Sequence, residues 1–245
     1  YFSPELALLA GNVFSYVVSP KEKLILTLKE KINIANDTDD FIFTAEQKFN
    51  FKPGQYMEWT LGHKQQDDRG IRRYFTIASS PTEPDLRLGV KFYPKPSSYK
   101  RAMESLQVGQ NIVATQLAGD FTMPKDVSKK LIFIAGGIGV TPFRSMVKYL
   151  IDRQEKRNIV FLYASTDGFA YQDIFEQAQQ KLGIKTAYVE GFITKEMITQ
   201  NAPDFKERMF YISGPRSMIV SFEKTLSEMG IPNRNIKTDF FPGFA

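Results

Sequence analysis

The sequence has no cysteine among its 245 residues. Iron–sulfur clusters of the ferredoxin type need cysteine thiolates, so the chain carries none. Disulfides and cysteine-based zinc sites are excluded as well, and cysteine usage says nothing about the redox compartment. The single histidine, His63, makes a histidine-rich metal site or a Ser-His-Asp triad nearly impossible. The polar stretch around it, residues 62–70, predicts that His63 is a structural residue in a solvated loop. We expect no metal site.

A long apolar run is also lacking. Residues 1–20 contain Glu5 and Asn12, which make them too polar for a membrane span, and they lack the basic start of a signal peptide. One interpretation of the apolar segment 1–22 is that it packs on the domain that follows. The other is the remnant of a membrane-attached region with the rest of the chain on the cytoplasmic side. The start at Tyr1 rather than Met agrees with a trimmed fragment.

Charge of one sign is not in large excess. Lys and Arg number 32 and Asp and Glu 27, which gives a net charge of +5. No basic run is interleaved with aromatic residues as in stacking platforms for nucleic acids, so we expect no nucleic-acid partner. The excess of positive charge has two interpretations. It is either spread over a solvated surface or concentrated on a face that steers an acidic protein or contacts a membrane headgroup layer.

The pattern from residue 23 to about residue 121 is short and alternating. Apolar runs are separated by turn residues, as at Pro53-Gly54 and Ser80-Pro81. Six or so short strands with this punctuation predict an antiparallel β-barrel over residues 23–126. One stretch, residues 97–103, interrupts the strands and predicts a helix start capped by serine.

From residue 129 onward the period changes. Residues 131–135 form an all-apolar run, typical of a strand buried on both faces of a parallel sheet. Helical and strand patterns then alternate, which predicts a doubly wound parallel α/β domain over residues 127–245. The polar stretch 124–129 separates the two periods and marks the predicted boundary.

Three short motifs follow one another along the chain. The first is Arg-Tyr-Phe-Thr-Ile-Ala-Ser at 73–79, on a strand of the predicted barrel. The second, Gly-Gly-Ile-Gly-Val-Thr-Pro at 136–142, lies between a buried strand and a helix, where glycines permit a close backbone approach to phosphate. It departs from Gly-x-Gly-x-x-Gly because Pro142 stands at the third glycine position. The third is Ser-Gly-Pro at 213–215, followed by Met218.

Together the motifs resemble the flavin and nicotinamide signatures of the ferredoxin–NADP reductase family, over nearly all of residues 23–241. The resemblance implies a flavin-binding barrel followed by a nucleotide-binding α/β domain. It also implies an NAD(P)H-dependent flavoprotein reductase. Electrons would pass from NADH or NADPH through bound FAD, with FMN as the second choice, to an acceptor outside the chain.

The first motif matches the family pattern Arg-x-Tyr-Ser. By resemblance, Arg73 pairs with the flavin phosphate, Phe75 lies against the isoalloxazine ring, and Thr76 approaches its N5 atom. Because side chains alternate along a strand, Tyr74 lies on the same face as Thr76. An alternative register gives the first two roles to Arg72 and Tyr74.

The resemblance places the flavin pyrophosphate at the helix start near Ser97 and Ser98, where backbone N–H groups favour an anion. The family usually has a glycine three residues before that serine, and this chain has Pro94 instead. Tyr93 would stack on the adenine of FAD.

The second and third motifs are expected to bind the nicotinamide nucleotide. Thr141 would hold its pyrophosphate or its carboxamide. Ser213 stands where many relatives have cysteine, so we expect slower hydride transfer. The remaining residues expected at this nucleotide are Gly136, Gly137, Gly139, Pro142, Gly214, Pro215 and Met218.

The C-terminal tail, residues 238–245, is unusually aromatic. The family often ends in an acidic residue, one spacer and an aromatic ring that covers the flavin, and Asp239 and Phe241 match that spacing. Phe244 competes for the role of Phe241, and a hydrophobic tail docked on the core is the alternative. With Thr76 and Ser213, Asp239 completes the predicted catalytic set.

The donor and the acceptor are less defined. Relatives that prefer NADPH carry Ser-Arg after the third strand, and Glu190 in this region favours NADH, whereas Ser165 and Thr166 leave the choice open. We expect a module of a larger electron-transfer system, cytoplasmic or at the cytoplasmic face of a membrane. The alternatives are a free flavin or ferric reductase and a non-catalytic membrane-docking module.

Overall fold

The computed structural model describes residues 3–5, 8–9, 11, 13 and 23–239, which form two sheets. The predicted segment 1–22 therefore lies largely outside the described residues, and the predicted lid residue Phe241 and its competitor Phe244 lie wholly outside them. No helix in the described part of the chain has the length and apolar character that a membrane crossing requires.

The first sheet is a curled antiparallel sheet of six strands. Alternate residues of its first strand, such as Leu24, Leu26 and Leu28, are buried in one core with Trp59. The backbone N–H of Ala78 donates to the Arg87 carbonyl at 2.8 Å, which brings the two edges together and gives the barrel shape predicted from the sequence. The strand order is β4-β3-β6-β1-β2-β5, with α1, Ser98–Glu104, before β6. The strands are β1 (Leu24–Ala35), β2 (Thr38–Ala45), β3 (Tyr56–Thr60), β4 (Arg72–Thr76), β5 (Leu86–Lys91) and β6 (Asn111–Ala118).

The second sheet is parallel throughout, in the order β11-β10-β7-β8-β9. Its central strand is the predicted apolar run, and every residue of that strand is buried. The strands are β7 (Leu131–Gly136), β8 (Ile159–Ser165), β9 (Lys185–Glu190), β10 (Met209–Ser213) and β11 (Ile236–Asp239). The helices are α2 (Thr141–Arg153), α3 (Gln172–Leu182), α4 (Lys195–Asn201) and α5 (Arg216–Glu228).

Helices cover both faces of this parallel sheet. Helices α2 and α3 pack on one face in a cluster with Phe133 and Phe161, and α4 and α5 pack on the other face with Ile132 and Ile134. The strand order reverses between β7 and β10, and a doubly wound sheet binds ligands outside the carboxyl ends of its strands at this point. The predicted fold class is confirmed. The sequence analysis did not identify α4 or β11. The last two residues of β11 were interpreted as part of the aromatic tail.

A buried ionic network joins the two sheets. Arg144 of α2 forms a two-pronged ion pair with Glu83 from the loop between β4 and β5, with one contact of 2.8 Å. The Tyr171 hydroxyl donates to Asp40 of β2 at 2.9 Å, and Arg87 pairs with the same carboxylate at 2.7 Å. Burial raises the pKa of Asp40, although the nearby Arg87 charge acts to lower it. These contacts hold the barrel and the α/β sheet in one relative orientation.

Candidate functional site

A cleft of about 1300 Å³ lies between the barrel and the carboxyl ends of the parallel strands. Ligand pockets are commonly about 300–1,000 Å³, so this cleft is large enough for more than one extended molecule. All three sequence motifs contribute to its walls. The predicted residues that line it are Arg73, Tyr74, Phe75, Thr76, Tyr93, Ser97, Gly136, Gly137, Gly139, Thr141, Ser213, Gly214, Pro215, Met218 and Asp239.

Strand β4 presents two aromatic rings at the cleft. Phe75 is half-buried and packs toward the barrel core, with its ring centroid 5.9 Å from that of Tyr99. Tyr74 points the other way and is 46% exposed, held edge-on against Tyr56 at 5.8 Å. Tyr74 therefore offers the larger free ring face, which is the arrangement expected of the alternative register.

Arg73 and Ser98, the barrel residues predicted to bind the flavin phosphate, both donate hydrogen bonds to the carboxylate of Asp67. Asp67 accepts a hydrogen bond from the Arg73 guanidinium at 3.1 Å and another from the Ser98 backbone N–H at 3.0 Å. Partial burial acts to raise the pKa of Asp67, but the hydrogen bonds from Ser98 and Arg69 and the Arg73 charge lower it to about 2. Asp67 is thus a carboxylate at every physiological pH.

Arg73 has further partners in its own loop. Its guanidinium donates to the backbone carbonyls of Arg69, Gly70 and Arg72, between 2.6 and 3.1 Å. It also lies 5.3 Å from the centre of the Tyr99 ring. The side chain therefore organises the loop that precedes β4 as well as facing the cleft.

Two more cations of the barrel wall were not singled out from the sequence. Lys91, at the end of β5, forms an ion pair with Asp167, which follows β8 in the opposite domain. Lys100, in the first turn of α1, lies with its ammonium nitrogen 4.5 Å from the centre of the Tyr93 ring. The sequence signal for Lys100 was its place three residues after the capping Ser97, but charge alone does not show which side chain faces the cleft.

The glycines of the second and third motifs pack mainly against each other. A Cβ at Gly139 would lie 2.5 Å from the Ser213 carbonyl oxygen and 2.6 Å from the backbone of Gly214. A Cβ at Gly136 or Gly214 would lie 2.4 Å or 2.6 Å from the end of the Met218 side chain, which would have to move to make room. Gly137 differs, because its φ is +53° and a Cβ there would meet nothing within 4 Å. Close loop packing is therefore a second reason for glycine here, beside the approach to phosphate.

This packing predicts different outcomes for two substitutions in one loop. Gly139→Ala forces a methyl group into the third motif, and we expect a loss of about 1–3 kcal/mol of stability together with weaker NADH binding. Gly137→Ala is the comparison in the same loop: it should cost about 1–2 kcal/mol because its backbone is left-handed, and its methyl group should leave the third motif undisturbed. Thermal denaturation and NADH titration test both. A Gly139→Ala variant with the stability and NADH affinity of the parent chain would contradict this description.

Thr76, Ser213 and Asp239 meet at the bottom of the cleft from three different strands. The hydroxyls of Thr76 and Ser213 lie 3.4 Å and 3.3 Å from the same carboxylate oxygen, Oδ2 of Asp239. Burial raises the pKa of Asp239 to about 7, and the two hydroxyl hydrogen bonds only partly oppose that rise. A carboxyl group that titrates near neutral pH beside two hydroxyls is suited to holding and moving a proton.

Two predicted residues lie behind the cleft wall. Pro142 is buried in the first turn of α2, where it fixes the start of the helix. The Ser98 hydroxyl is within 3.0 Å of both His63 Nε2 and the Asp67 backbone N–H. Their roles as direct cofactor ligands stay predictions. His63 lies in a loop, as predicted, but it is half-buried and bound to neighbours rather than solvated.

The groups lining the cleft fit a long aromatic anion. One wall carries exposed tyrosine rings, with Tyr74 and Tyr93 at 46% and 42% exposure, among several cations. The other wall is a phosphate-type loop at the switch point of a doubly wound sheet. This fold and this cleft define a two-domain oxidoreductase that binds a flavin and a nicotinamide nucleotide.

Comparison with known families gives the same result. Residues 25–122 match the oxidoreductase FAD-binding domain, and residues 133–224 match the oxidoreductase NAD-binding domain. The chain belongs to the ferredoxin–NADP reductase-like family and is an NAD(P)H-dependent flavoprotein reductase. FAD and NAD(P)H are its cofactors, as predicted.

Individual relatives share the module but are longer. The chain is 27% identical to flavohemoprotein A of Dictyostelium discoideum, over 94% of this chain and 67% of that protein. It is 27% identical to the glycine betaine monooxygenase reductase subunit of Chromohalobacter salexigens, over 79% of this chain and 57% of that protein. The cytochrome P450 reductase GcoB of Amycolatopsis has the same fold, with a TM-score of 0.79 and 20% identity over 91% of this chain and 71% of that one. The chain thus spans about half to two thirds of the length of curated relatives that it matches.

Proposed function

We propose that the chain is the reductase module of a larger electron-transfer system, which oxidises NADH and supplies electrons to an acceptor on another domain or protein. The observation that carries the proposal is the cleft itself, in which a flavin-type wall and a nucleotide-type wall face one another. The greater length of the relatives supports an acceptor beyond this module. FAD, when bound, accepts a hydride from the nicotinamide ring and passes electrons onward.

The residues of the chain divide the work between binding and proton handling. Tyr74 provides the exposed ring face for the flavin, as in the alternative register, and Gly137 opens the loop to the nucleotide. Ionised Asp239 at the bottom of the cleft would stabilise the positive charge of an oxidised nicotinamide ring bound there. Its Oδ2 atom can also accept a proton through the Thr76 hydroxyl. Membrane attachment through residues 1–22 and a cytoplasmic location stay predictions.

One experiment tests the proposal directly. The purified chain should be yellow, and anaerobic addition of NADH should bleach the flavin absorbance. A chain that binds flavin but is not bleached by either nucleotide is a docking module. One that releases its flavin on reduction is a free flavin reductase. Either outcome would replace the proposed function.

The donor preference gives a separate prediction. Glu190 ends β9 as an exposed carboxylate, and the neighbouring Gly191 lines the cleft. By the family resemblance, a carboxylate at this strand end would accept a hydrogen bond from the ribose 2′-hydroxyl of NADH and would repel the 2′-phosphate of NADPH. We expect Glu190→Gln to lower the NADH-to-NADPH ratio of kcat/KM about tenfold, equivalent to ~1.4 kcal/mol. Steady-state kinetics with both nucleotides decide it, and an unchanged ratio would remove Glu190 from the specificity site.

A further inference from the structure

We propose that Ser145 and Tyr171 are positioning residues for hydride transfer, because they fix the glycine loop, residues 136–142, against the strand that carries the first motif. The inference rests on the proposed function, since it concerns the two walls of the same cleft. Both residues belong to the α/β domain, are buried behind the cleft wall, and donate hydrogen bonds to the barrel.

The first contact ties two of the sequence motifs together through the backbone. Ser145 lies in α2, three residues after the glycine loop ends at Pro142, and its hydroxyl donates to the Ser79 carbonyl at 2.6 Å. Arg144, the residue before it, donates to the Ala78 carbonyl at 3.1 Å. Because Ala78 and Ser79 are the last two residues of the first motif, these bonds join the position of that motif to the position of the glycine loop.

The second contact lies where the barrel touches the glycine loop itself. The Tyr171 hydroxyl donates to Asp40 of β2 at 2.9 Å, and Asp40 lies opposite Gly89 of the neighbouring strand β5. A Cβ at Gly89 would lie 2.7 Å from that hydroxyl, 2.9 Å from Cγ2 of Thr141 and 3.0 Å from Cδ1 of Ile138. The tyrosine, the barrel backbone and the glycine loop therefore meet at one point, and Gly89 forms part of the cleft wall.

The backbone of Tyr171 is strained. Its φ is +60°, in the left-handed region, immediately before α3 begins at Gln172. Bulky residues rarely adopt this conformation, and such strain gathers at functional sites. An ordinary capping residue in an extended conformation would start the helix without it. The strain therefore indicates that the contact made by the tyrosine side chain has a function of its own.

The distance between the two motifs matters because hydride transfer is steeply sensitive to geometry. A misplacement of about 1 Å, caused by a change far from the reacting atoms, can cost roughly 100-fold in rate. The nucleotide is expected on the glycine loop and the flavin on the first motif. The ion pair between Arg144 and Glu83 still joins the domains when Ser145 or Tyr171 is changed. We therefore expect a small shift of the loop and not a separation of the domains.

The test is stopped-flow reduction of the FAD-loaded chain by NADH without oxygen. Tyr171→Phe and Ser145→Ala each remove one hydroxyl, and each should lower the limiting rate of flavin reduction roughly 10-fold, while the Kd values of NADH and FAD change less than about threefold. A second readout is the long-wavelength charge-transfer absorption of NAD⁺ bound beside the reduced flavin. It should weaken in the same variants, because it depends on how the two rings overlap.

Gly89→Ala approaches the same contact from the barrel side. Its methyl group would press on the Tyr171 hydroxyl and on the glycine loop, so it should also slow flavin reduction. Tyr171→Phe added to Gly89→Ala should bring a smaller further loss than it brings alone, because residues in contact do not act additively. Losses that simply multiply would contradict a shared contact.

Asn158→Ala is the matched control for a loss of stability. It removes an acceptor of the buried Arg208 guanidinium at 2.8 Å, and it lies before β8, at the opposite end of the parallel strands from the cleft. The midpoint of thermal unfolding should fall in this variant, whereas the rate of flavin reduction should equal that of the parent chain.

Three results would overturn the proposal. The first is a parent-like rate of flavin reduction in both Ser145→Ala and Tyr171→Phe. The second is a fall in NADH or FAD affinity as large as the fall in rate, which would indicate a general structural defect. The third is an equal loss of rate in Asn158→Ala. A parent chain that binds FAD but is reduced by neither nucleotide would instead contradict the proposed function.

Discussion

Replacing Asp239 with Asn should slow NADH oxidation about 100-fold, which is within the range for loss of a positioned acid or base. The substitution keeps the shape of the side chain and one oxygen that can accept from Thr76 and Ser213, and it removes the negative charge and the ability to take up a proton. Because the pKa of Asp239 is raised to about 7, the parent chain should gain activity as the pH rises through 7 and the carboxyl group ionises. The variant should show a low rate with no such step, measured as kcat from pH 5.5 to pH 9.

Two further measurements distinguish catalysis from folding. The pKa of Asp239 in the folded state is above its ordinary value of 3.8. The protonated carboxyl therefore contributes stability that is fully present below pH 3.8 and is lost as the pH rises through 7. Asp239→Asn should thus be slower yet more heat-stable than the parent at pH 8. Ser213→Ala removes a hydrogen bond that favours the charged form, so its activity profile should shift to higher pH. A parent chain with no step near pH 7 would contradict the role given to Asp239.

The buried pair between the two domains should have the largest effect on stability. Glu83→Gln leaves the Arg144 guanidinium, only 2% exposed, without its paired carboxylate, so that of these two anions, Glu83 and Asp40, only Asp40 still acts on it. Removing one partner of a buried ion pair costs about 3–5 kcal/mol, which for a chain of this size is roughly 10 °C in Tm. Differential scanning calorimetry measures the shift.

Two controls belong to that experiment. Lys29→Ala breaks an ion pair with Asp85 in which the lysine is 56% exposed, and it should cost less than about 1 kcal/mol. The double change Glu83→Leu with Arg144→Met removes both charges, and it should recover much of the loss because apolar replacements avoid the uncompensated cation. A Glu83→Gln variant within about 1 kcal/mol of the parent would contradict the stabilising role given to the Glu83–Arg144 pair.

The sequence was sufficient for the fold class because burial imposes its apolar period on most of the strands and helices. Alternation in β1 and the unbroken apolar run of β7 identify an antiparallel and a parallel sheet. Helix α4 was missed because only Ile198 of its seven residues is buried, so it has almost no apolar period. Strand β11 is four residues long and pairs with one neighbour, β10, so its local signal is equally weak.

Cleft residues were predictable from the sequence only where they belong to a motif of contiguous residues. The glycine loop at 136–142 and Thr76, in the motif at 73–79, are examples. By contrast, Asp40 and Tyr171 are 131 positions apart, and the contact of Asp67 with Ser98 joins a loop to a helix across 31 positions. Such partnerships depend on how the sheet curls and how the domains meet, which composition and spacing do not contain. For the same reason, the sequence could not show that the Asp67 carboxylate contacts both Arg73 and the Ser98 backbone.

The contact among Gly136, Gly214 and Met218 also has an evolutionary consequence. A side chain added at Gly136 or Gly214 would meet the flexible end of Met218, so a mutation that enlarges either glycine requires that side chain to move or to become smaller. Substitutions at these sites should therefore be correlated across homologues. Laboratory libraries that vary the two loops separately will recover few functional clones, whereas joint randomisation of both should find new nucleotide pockets.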